Sequence, residues 1–365
     1  MNKLARIRAM IGAAAVLAGL LRSTGAAQLA DRQVLRGDRV AVYNLAGSIR
    51  LEGTTSGSDV VVTVNKRGAD GSRLRVETGN VRGREALRVI FPDERIVFAG
   101  PAGADEGGRW GTTRLDVDKD GTFGDSKHDW DRGSRVEIAS SGRGFHGYAD
   151  VSVMVPKGKR IEVYLAAGMA TVSNIDGDVH VNVSAASVTT THTRGVLSLD
   201  TGSGDVTVTD ALGDVILDSG SGSAKLTGVR GTELRLDTGS GSLSATDVTV
   251  DKLAGDTGSG RIRLVGIRAK EIILDSGSGS VELELLEDVE RVRIDAGSGS
   301  VTIGVPESLG ATVDIDTGSG GIDIDIPVTV TRRDRDSLKG SIGDGRGRIS
   351  IESGSGGVHL RRSAR

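Results

Sequence analysis

The stretch Leu234–Leu243, LRLDTGSGSL, contains a pattern that returns throughout the second half of the chain. An acidic residue is followed by Thr, Ser or Ala and then by Gly-Ser-Gly, and this pattern occurs eight times. The acidic residues are Asp200, Asp218, Asp237, Asp256, Asp275, Asp295, Asp316 and Glu352. The first seven are spaced almost evenly, whereas Glu352 follows Asp316 after nearly two periods. A repeat of this length is typical of solenoids, in which each repeat stacks on its neighbours.

The letters Asp-Thr-Gly-Ser, as at Asp237, are also the signature of aspartic proteases. In those enzymes two such turns face each other, so that two carboxyl groups share one proton. Eight copies at a nearly constant spacing describe a stack of equivalent corners instead of one facing pair. The repeat therefore argues against a protease.

Apolar residues alternate on both sides of each corner, as at Leu234 and Leu236 before it and at Leu243 and Ala245 after it. Strict alternation is typical of strands with one buried face, so each unit of about 19 residues predicts one coil of a β-solenoid. We expect the corner glycines to adopt positive φ, and the acids to be structural turn residues that accept hydrogen bonds from turn amides. These expected turn residues are Asp200, Asp218, Asp237, Asp256, Asp275, Asp295 and Asp316.

The predicted fold class is all-β, a β-helix-like solenoid with an N-terminal strand-rich cap or insertion. Roughly ten coils from about Val163 to Leu360 would extend about 50 Å at the usual strand spacing. No Phe, Trp or Tyr occurs after Tyr164, which fits a narrow bore filled by stacked aliphatic side chains. The expected divisions are a signal peptide at 1–27, N-terminal strands of the β domain at 28–90, an aromatic and Gly/Asp-rich insertion or cap at 91–160, and solenoid repeats at 161–365.

The first residues predict export from the cytoplasm. Lys3, Arg6 and Arg8 precede the apolar run Ala9–Leu21, which is short for a membrane span, and small residues follow at 25–27. An uncleaved anchor is the alternative. The chain has no Cys, which excludes disulfides and a lipoprotein anchor, and its net charge of −3 offers no basic field for nucleic acid. We expect an extracytoplasmic protein, periplasmic, secreted or at the cell surface, without a transmembrane segment in the mature chain.

The cadence Gly177-Asp178-Val179, seen again within Asp200–Val206, resembles the bacterial putative-adhesin β-strand-repeat family. The resemblance extends from about Arg39 to Leu360. That family is a domain of unknown function, so the resemblance implies the architecture, and no catalytic residues or cofactors come with it.

The segment between Phe91 and Tyr164 holds eight of the nine aromatic residues. Among them, Trp110 and Trp130 are the candidate ligand contacts; the alternative is that these aromatics cap the exposed first coil. The segment also contains Asp116, Asp118 and Asp120 before Gly121, which is the first half of a calcium loop. The twelfth position is a lysine, although Asp125 could serve as a ligand instead. A polar hairpin turn is the alternative, and calcium is the only cofactor considered.

Two charged segments lie near the C-terminus. We expect Thr331–Ser337 to be a charged loop on a late coil and His359–Arg365 to protect the last strand edge. The five histidines, His128, His146, His180, His192 and His359, show no zinc-protease spacing.

The sequence predicts a non-enzymatic structural or surface interaction module with an adhesin-like role, whose partner is an unidentified envelope or cell-surface protein or glycan. A carbohydrate-active β-helix enzyme and a self-assembling envelope scaffold are the alternatives.

Overall fold

The computed structural model describes residues 30–100, 111–124 and 133–363. The expected signal peptide at 1–27 lies outside these ranges. The described residues are almost entirely strands, arranged in one 24-stranded sheet and a separate three-stranded sheet, with one 3-10 turn at Gly71–Arg73. The all-β prediction is therefore confirmed. No helix in the described ranges is long and apolar enough to cross a membrane.

Within the described ranges, nine strands precede Arg160 and eighteen begin at or after it. The N-terminal strands are β1 (Ala30–Leu35), β2 (Arg39–Thr54), β3 (Val60–Arg67), β4 (Arg75–Val81), β5 (Arg84–Ile90), β6 (Arg95–Val97), β7 (Thr113–Val117), β8 (Ser134–Ala139) and β9 (Tyr148–Pro156). The later strands are β10 (Arg160–Ser173), β11 (Asp178–Arg194), β12 (Leu197–Ser203), β13 (Val206–Leu212), β14 (Val215–Ser219), β15 (Ala224–Arg230), β16 (Glu233–Thr238), β17 (Leu243–Thr257), β18 (Ile262–Ser276), β19 (Val281–Leu285), β20 (Arg291–Ala296), β21 (Val301–Val305), β22 (Ala311–Thr317), β23 (Ile322–Ile324), β24 (Thr329–Arg333), β25 (Ser337–Ile342), β26 (Gly347–Ser353) and β27 (Val358–Arg362).

The repeat of the sequence is the step from one coil to the next. Strand β10 pairs in parallel with β11 so that Arg160 lies beside Asp178, one repeat further along the chain. In the same way, Glu271 on β18 lies between Lys252 on β17 and Arg291 on β20. Because each residue lies beside its counterpart in the next repeat, equivalent side chains stack in columns. The inward columns, mostly Val, Leu and Ile, form a continuous buried core.

Of the glycines in the Gly-Ser-Gly corners, only Gly204 has the expected positive φ, at 128°. Gly239, Gly258 and Gly277 do not have the positive φ that we expected. They are constrained by proximity, because each corner stacks on the corner of the preceding coil. A Cβ atom on Gly258 would lie 2.4 Å from the carbonyl oxygen of Gly239, and one on Gly260 only 1.8 Å from that of Gly241. The coils approach too closely at these points for any side chain.

A second corner, which the repeated pattern does not predict, has positive φ in coil after coil. A column of non-identical residues there takes the left-handed conformation, with φ between 52° and 74°: Asn174, His192, Asp210, Gly228, Asp247 and Gly266. The register places His192 beside Asp210 and Asp210 beside Gly228. Asn, Asp and Gly tolerate this conformation best, and His is also enriched in it. This corner requires a backbone conformation that several residue types can adopt. No single residue type therefore repeats there in the sequence.

The last coils do not stack in the order of the sequence. Strand β26 lies between β20 and β22, with Val292 beside Ile349 and Ile349 beside Val313. Strand β27 likewise lies between β21 and β23. The C-terminal coil is thus inserted between two earlier ones, and the interval before Glu352 is long because β23, β24 and β25 lie within it. The expectation that the C-terminal residues protect a final strand edge is wrong, because β27 is an inner strand.

Antiparallel strands close both ends of the stack. At the N-terminal end β3 pairs antiparallel with β1 and β9, and at the other end β25 pairs antiparallel with β22 and β24. The segment Thr331–Ser337, which we expected to be a projecting loop, forms part of this hairpin. Strand β24 is exposed along its whole length and carries Arg332 and Arg333. Charged, exposed edges discourage pairing with another chain.

Alanine substitution at two glycines tests the corner constraint. Gly260→Ala should destabilise the protein by about 1–3 kcal/mol or more, because its Cβ atom forces two backbones apart. Gly321→Ala is the matched control: a Cβ atom there has no neighbour within 4 Å. It should be neutral or stabilising by up to about 1 kcal/mol. Denaturant unfolding measures both effects, and equal small effects would contradict close packing of the corners.

Candidate functional site

The acidic residues of the repeat form one continuous row on the outside of the stack, which we call the acid ladder. Strand alternation turns them away from the core, and the register places each beside the next. In stacking order the members are Asp200, Asp218, Asp237, Asp256, Asp275, Asp295, Glu352 and Asp316. All are exposed or half-buried. The ladder places eight carboxyl groups in a line, one per rung, at the strand spacing of about 4.8 Å.

At several corners, hydrogen bonds come from a Thr or Ser that follows the acid. The hydroxyl group of this residue points inward and is buried, as at Thr257 and Ser276. The backbone N–H of Gly260 donates to the Thr257 hydroxyl at 2.9 Å, and the Ser276 hydroxyl donates to the carbonyl oxygen of Gly279 at 2.8 Å. In the described ranges no backbone N–H bonds to the ladder carboxylates. The expected role of the acids as turn residues therefore belongs to their Thr and Ser neighbours.

Burial and repulsion between neighbours raise the pKa values of two ladder acids. The pKa of Asp256 is raised by partial burial first and then by the charges of Asp237 and Asp275, while Arg235 opposes the shift. At the start of the ladder, the pKa of Asp200 is raised by burial and by Asp218. Hydrogen bonds from turn amides would have lowered these pKa values, and that expectation is wrong for both residues. At neutral pH their carboxylates therefore cost folding free energy.

The same column is aromatic where it is covered. On β2 and β10 its members are Tyr43 and Tyr164, whose rings stack with centroids 4.4 Å apart. Phe123 packs edge-on against both rings, at 5.9 and 6.5 Å. The next member, Asn182, donates a hydrogen bond to the Asp200 carboxylate at 3.3 Å. The residues of the column are thus aromatic where Phe123 covers them and acidic in the coils beyond it.

A buried arginine ties the covering strands to the stack. Arg84 on β5 is 6% exposed and forms an ion pair with Glu162 on β10, which is 8% exposed. The nitrogen that pairs with Glu162, Nη1, also donates to the Tyr164 hydroxyl at 3.1 Å, and Nη2 donates to the Tyr43 hydroxyl at 3.2 Å. Burying a charge is unfavourable unless it is paired and hydrogen-bonded, and Arg84 meets both conditions.

The small sheet of β6, β8 and β7 provides the cover. Its apolar side chains and the nearby rings of Phe98, Phe123 and Tyr164 form a second buried cluster on the outward side of β2 and β10. Phe145 belongs to the main core. The described rings of this segment are used in packing. The candidate contacts Trp110 and Trp130 lie outside the described residues.

The candidate calcium loop does not bring its carboxylates together. Asp118 lies 3.7 Å from the Arg82 guanidinium, and Asp120 lies 3.6 Å from that of Arg88 and accepts a 2.8 Å hydrogen bond from the Thr122 hydroxyl. Asp116 on β7 lies opposite Arg135 on β8. Within the described ranges these three carboxylates do not form a group of ligand atoms within 4.8 Å of one another. Asp125 is outside those ranges. The described part is a hydrogen-bonded turn whose acids face arginines.

Comparisons with known proteins support the repeat architecture. The model of a family described as Toastrack DUF4097 matches residues 125–361, about two thirds of the chain. No curated protein matches the sequence significantly. A crystal structure of a "putative cell adhesion protein" from Clostridium sporogenes aligns over 91% of this chain and 98% of its own, with 9% identity and a TM-score of 0.19. That TM-score is too low for the likeness to bear on fold or function.

Replacing one carboxylate tests whether burial and repulsion make the charged form unfavourable. A raised pKa means that the folded state favours the protonated acid, so its contribution to stability is complete at low pH and is lost as pH rises through the folded pKa. Asp256→Asn should therefore stabilise the protein at pH 7, and the difference from the wild type should shrink as pH falls toward about 4.

The matched control for this substitution is Asp251→Asn. Asp251 forms a 2.7 Å ion pair with the exposed Lys270, so its loss should be neutral or slightly destabilising at pH 7. Thermal unfolding from pH 4 to 8 compares the variants. An Asp256→Asn protein that is less stable than the wild type at pH 7 would show that the carboxylate is held by favourable contacts.

Proposed function

The chain belongs to the Toastrack DUF4097 family, and we propose that it acts as an exported, non-enzymatic interaction module with an adhesin-like role. Its stacked coils, about ten at a spacing of about 4.8 Å, serve as a rigid rod. We propose that its partner is a protein or glycan of the cell surface or envelope, that it is located outside the cytoplasm, and that the outward face carrying the acid ladder is the binding surface.

The observation that supports this proposal is the repetition of a carboxyl group on successive rungs of an uncovered face. The ladder carboxylates stand in register on strands whose backbone is held by neighbours on both sides. Such a surface suits a partner that is itself repetitive and carries amino groups or bridging cations. Several weak contacts made together then give an avidity that no single contact provides.

The equivalence of the ladder acids supports a non-enzymatic role. Acid–base catalysis by two carboxyl groups needs environments that push their pKa values apart. The ladder instead repeats one carboxyl group at the same position of successive rungs. A carbohydrate-active enzyme remains the alternative that a degradation screen with purified glycans tests, and turnover of any glycan would overturn the non-enzymatic assignment.

The charged antiparallel ends argue against the self-assembling scaffold. Stacking end to end would require an edge such as β24 to pair with another copy, and β24 presents Arg332 and Arg333. We therefore expect light scattering to give a monomer mass that does not rise with protein concentration. A mass that grows with concentration would favour the scaffold.

Neutralising part of the ladder tests the binding surface. The variant Asp237→Asn, Asp256→Asn, Asp275→Asn should bind isolated envelopes of the producing bacterium at least about tenfold more weakly, a loss of about 1.4 kcal/mol. The control variant Asp288→Asn, Glu290→Gln, Glu307→Gln makes the same change in net charge at exposed acids outside the ladder. It should bind within about twofold of the wild type, because removing exposed charges far from a binding surface changes little. Co-sedimentation with the envelopes measures both.

Equal losses in the two variants would indicate non-specific charge effects and would contradict a ladder-specific surface. Cell fractionation tests the other part of the proposal, because recovery of the protein in the cytoplasm would rule out export.

A further inference from the structure

One cluster of side chains near the C-terminal end is unlike the rest of the surface. Strand β23 pairs in parallel with β27, so that Asp323 lies beside His359. Alternation places Asp325 on the same outward side as Asp323. The imidazole Nε2 of His359 lies 2.8 Å from Oδ2 of Asp325 and 3.8 Å from Oδ2 of Asp323. One imidazole nitrogen thus faces two carboxylates.

The cluster has the donor set of a metal site. Each of the three residues offers one ligand atom, and these atoms all lie within 4.8 Å of one another. Among the residues that the structure describes, this is the one group of three or more His, Cys, Asp or Glu side chains that meets this criterion. The His192–Asp210 pair, with Nε2 and Oδ2 at 3.3 Å, has the same two residue types but no third ligand within the described ranges.

We propose that Asp323, Asp325 and His359 bind a divalent transition-metal ion of the zinc type. Zinc accepts an imidazole nitrogen together with carboxylate oxygens, and three protein ligands leave the fourth tetrahedral position open. Calcium prefers six to eight oxygen ligands, more than the two carboxylates supply, and an imidazole is not among its usual ligands. This assignment is independent of the acid ladder and of the proposed adhesive role.

Because the cluster joins β23 to β27, an ion bound there would stabilise this end of the stack. Strand β23 has only three residues, its pairing partner is β27, and its apolar residues Ile322 and Ile324 are half-buried. It is therefore a weakly held rung at the end of the stack. A metal ion held by two residues at and just beyond β23 and one on β27 links the two strands and opposes their separation, since an ion that binds only the folded arrangement stabilises it.

Calorimetric titration of the full-length, untagged protein with Zn²⁺ tests the site. We expect saturable binding of one ion per chain, weakened at least about tenfold by His359→Gln and by Asp325→Asn, because loss of even a residue that supports a metal ligand costs about 10–100-fold. The control His192→Gln removes the imidazole of the two-residue pair and should leave the affinity unchanged. All three changes are at exposed or half-exposed side chains, and thermal unfolding without metal checks that each variant folds.

Hydrogen exchange gives a second measurement. Zn²⁺ should slow exchange of the amides of residues 322–325 in the wild type and should have no such effect in His359→Gln. The proposal is wrong if the wild type shows no saturable binding, if His359→Gln binds as tightly as the wild type, or if His192→Gln causes the same loss. Equal affinity for Ca²⁺ would overturn the assignment to a transition metal.

Discussion

The close approach of successive corners is the constraint on which the rest of the structure depends. At each Gly-Ser-Gly corner the backbone N–H of one coil bonds to a carbonyl group of the coil before it, as from Gly258 to Thr238 at 3.2 Å and from Gly277 to Thr257 at 3.0 Å. These bonds continue the parallel ladder around the bend, where a side chain would hold the backbones apart. Because the corners cannot slip, the strands on either side stay in register, and every position of the repeat becomes a column.

Register stacks like residues upon one another where the sequence repeats, which stabilises the fold inside the stack and destabilises it at the outward acids. Each buried Leu, Ile or Val contributes about 1.5–3 kcal/mol, and each repeat buries several of them. Two carboxylates one rung apart repel by about 1 kcal/mol in water. The core therefore outweighs the repulsion, and the fold tolerates a row of like charges. Folding alone does not explain why Asp occupies this column in seven of its eight acidic rungs, because an outward position accepts any polar residue.

Features of the fold that repeat in every coil can be predicted from the sequence, whereas features without a repeated residue pattern cannot. The period and the alternation of Leu234 and Leu236 were enough to predict the coil and its inward face, because both follow from backbone geometry. The repeated glycines predict a conformational requirement, whereas the structure shows a steric one at Gly258 and Gly260, and a sequence cannot separate the two. The left-handed corner at Asn174, His192 and Asp210 was missed because several residue types satisfy it. The interleaving of β26 and β27 was missed because a period records distance along the chain and not which coil is the neighbour.

Other elements cover the ladder column at the N-terminal end and close the stack at the other end. The surface open to a partner therefore lies between the two ends. At the N-terminal end the ladder column is aromatic and covered, through the packing of Tyr43 and Tyr164 under Phe123. At the other end antiparallel strands close the stack beyond the last acidic rung, Asp316. Between these ends no described element covers the outward acids. The column therefore changes from tyrosine to aspartate, on either side of Asn182, where it passes from a covered surface to an exposed one. The acid ladder is the part of the column that is open to solvent in the folded protein.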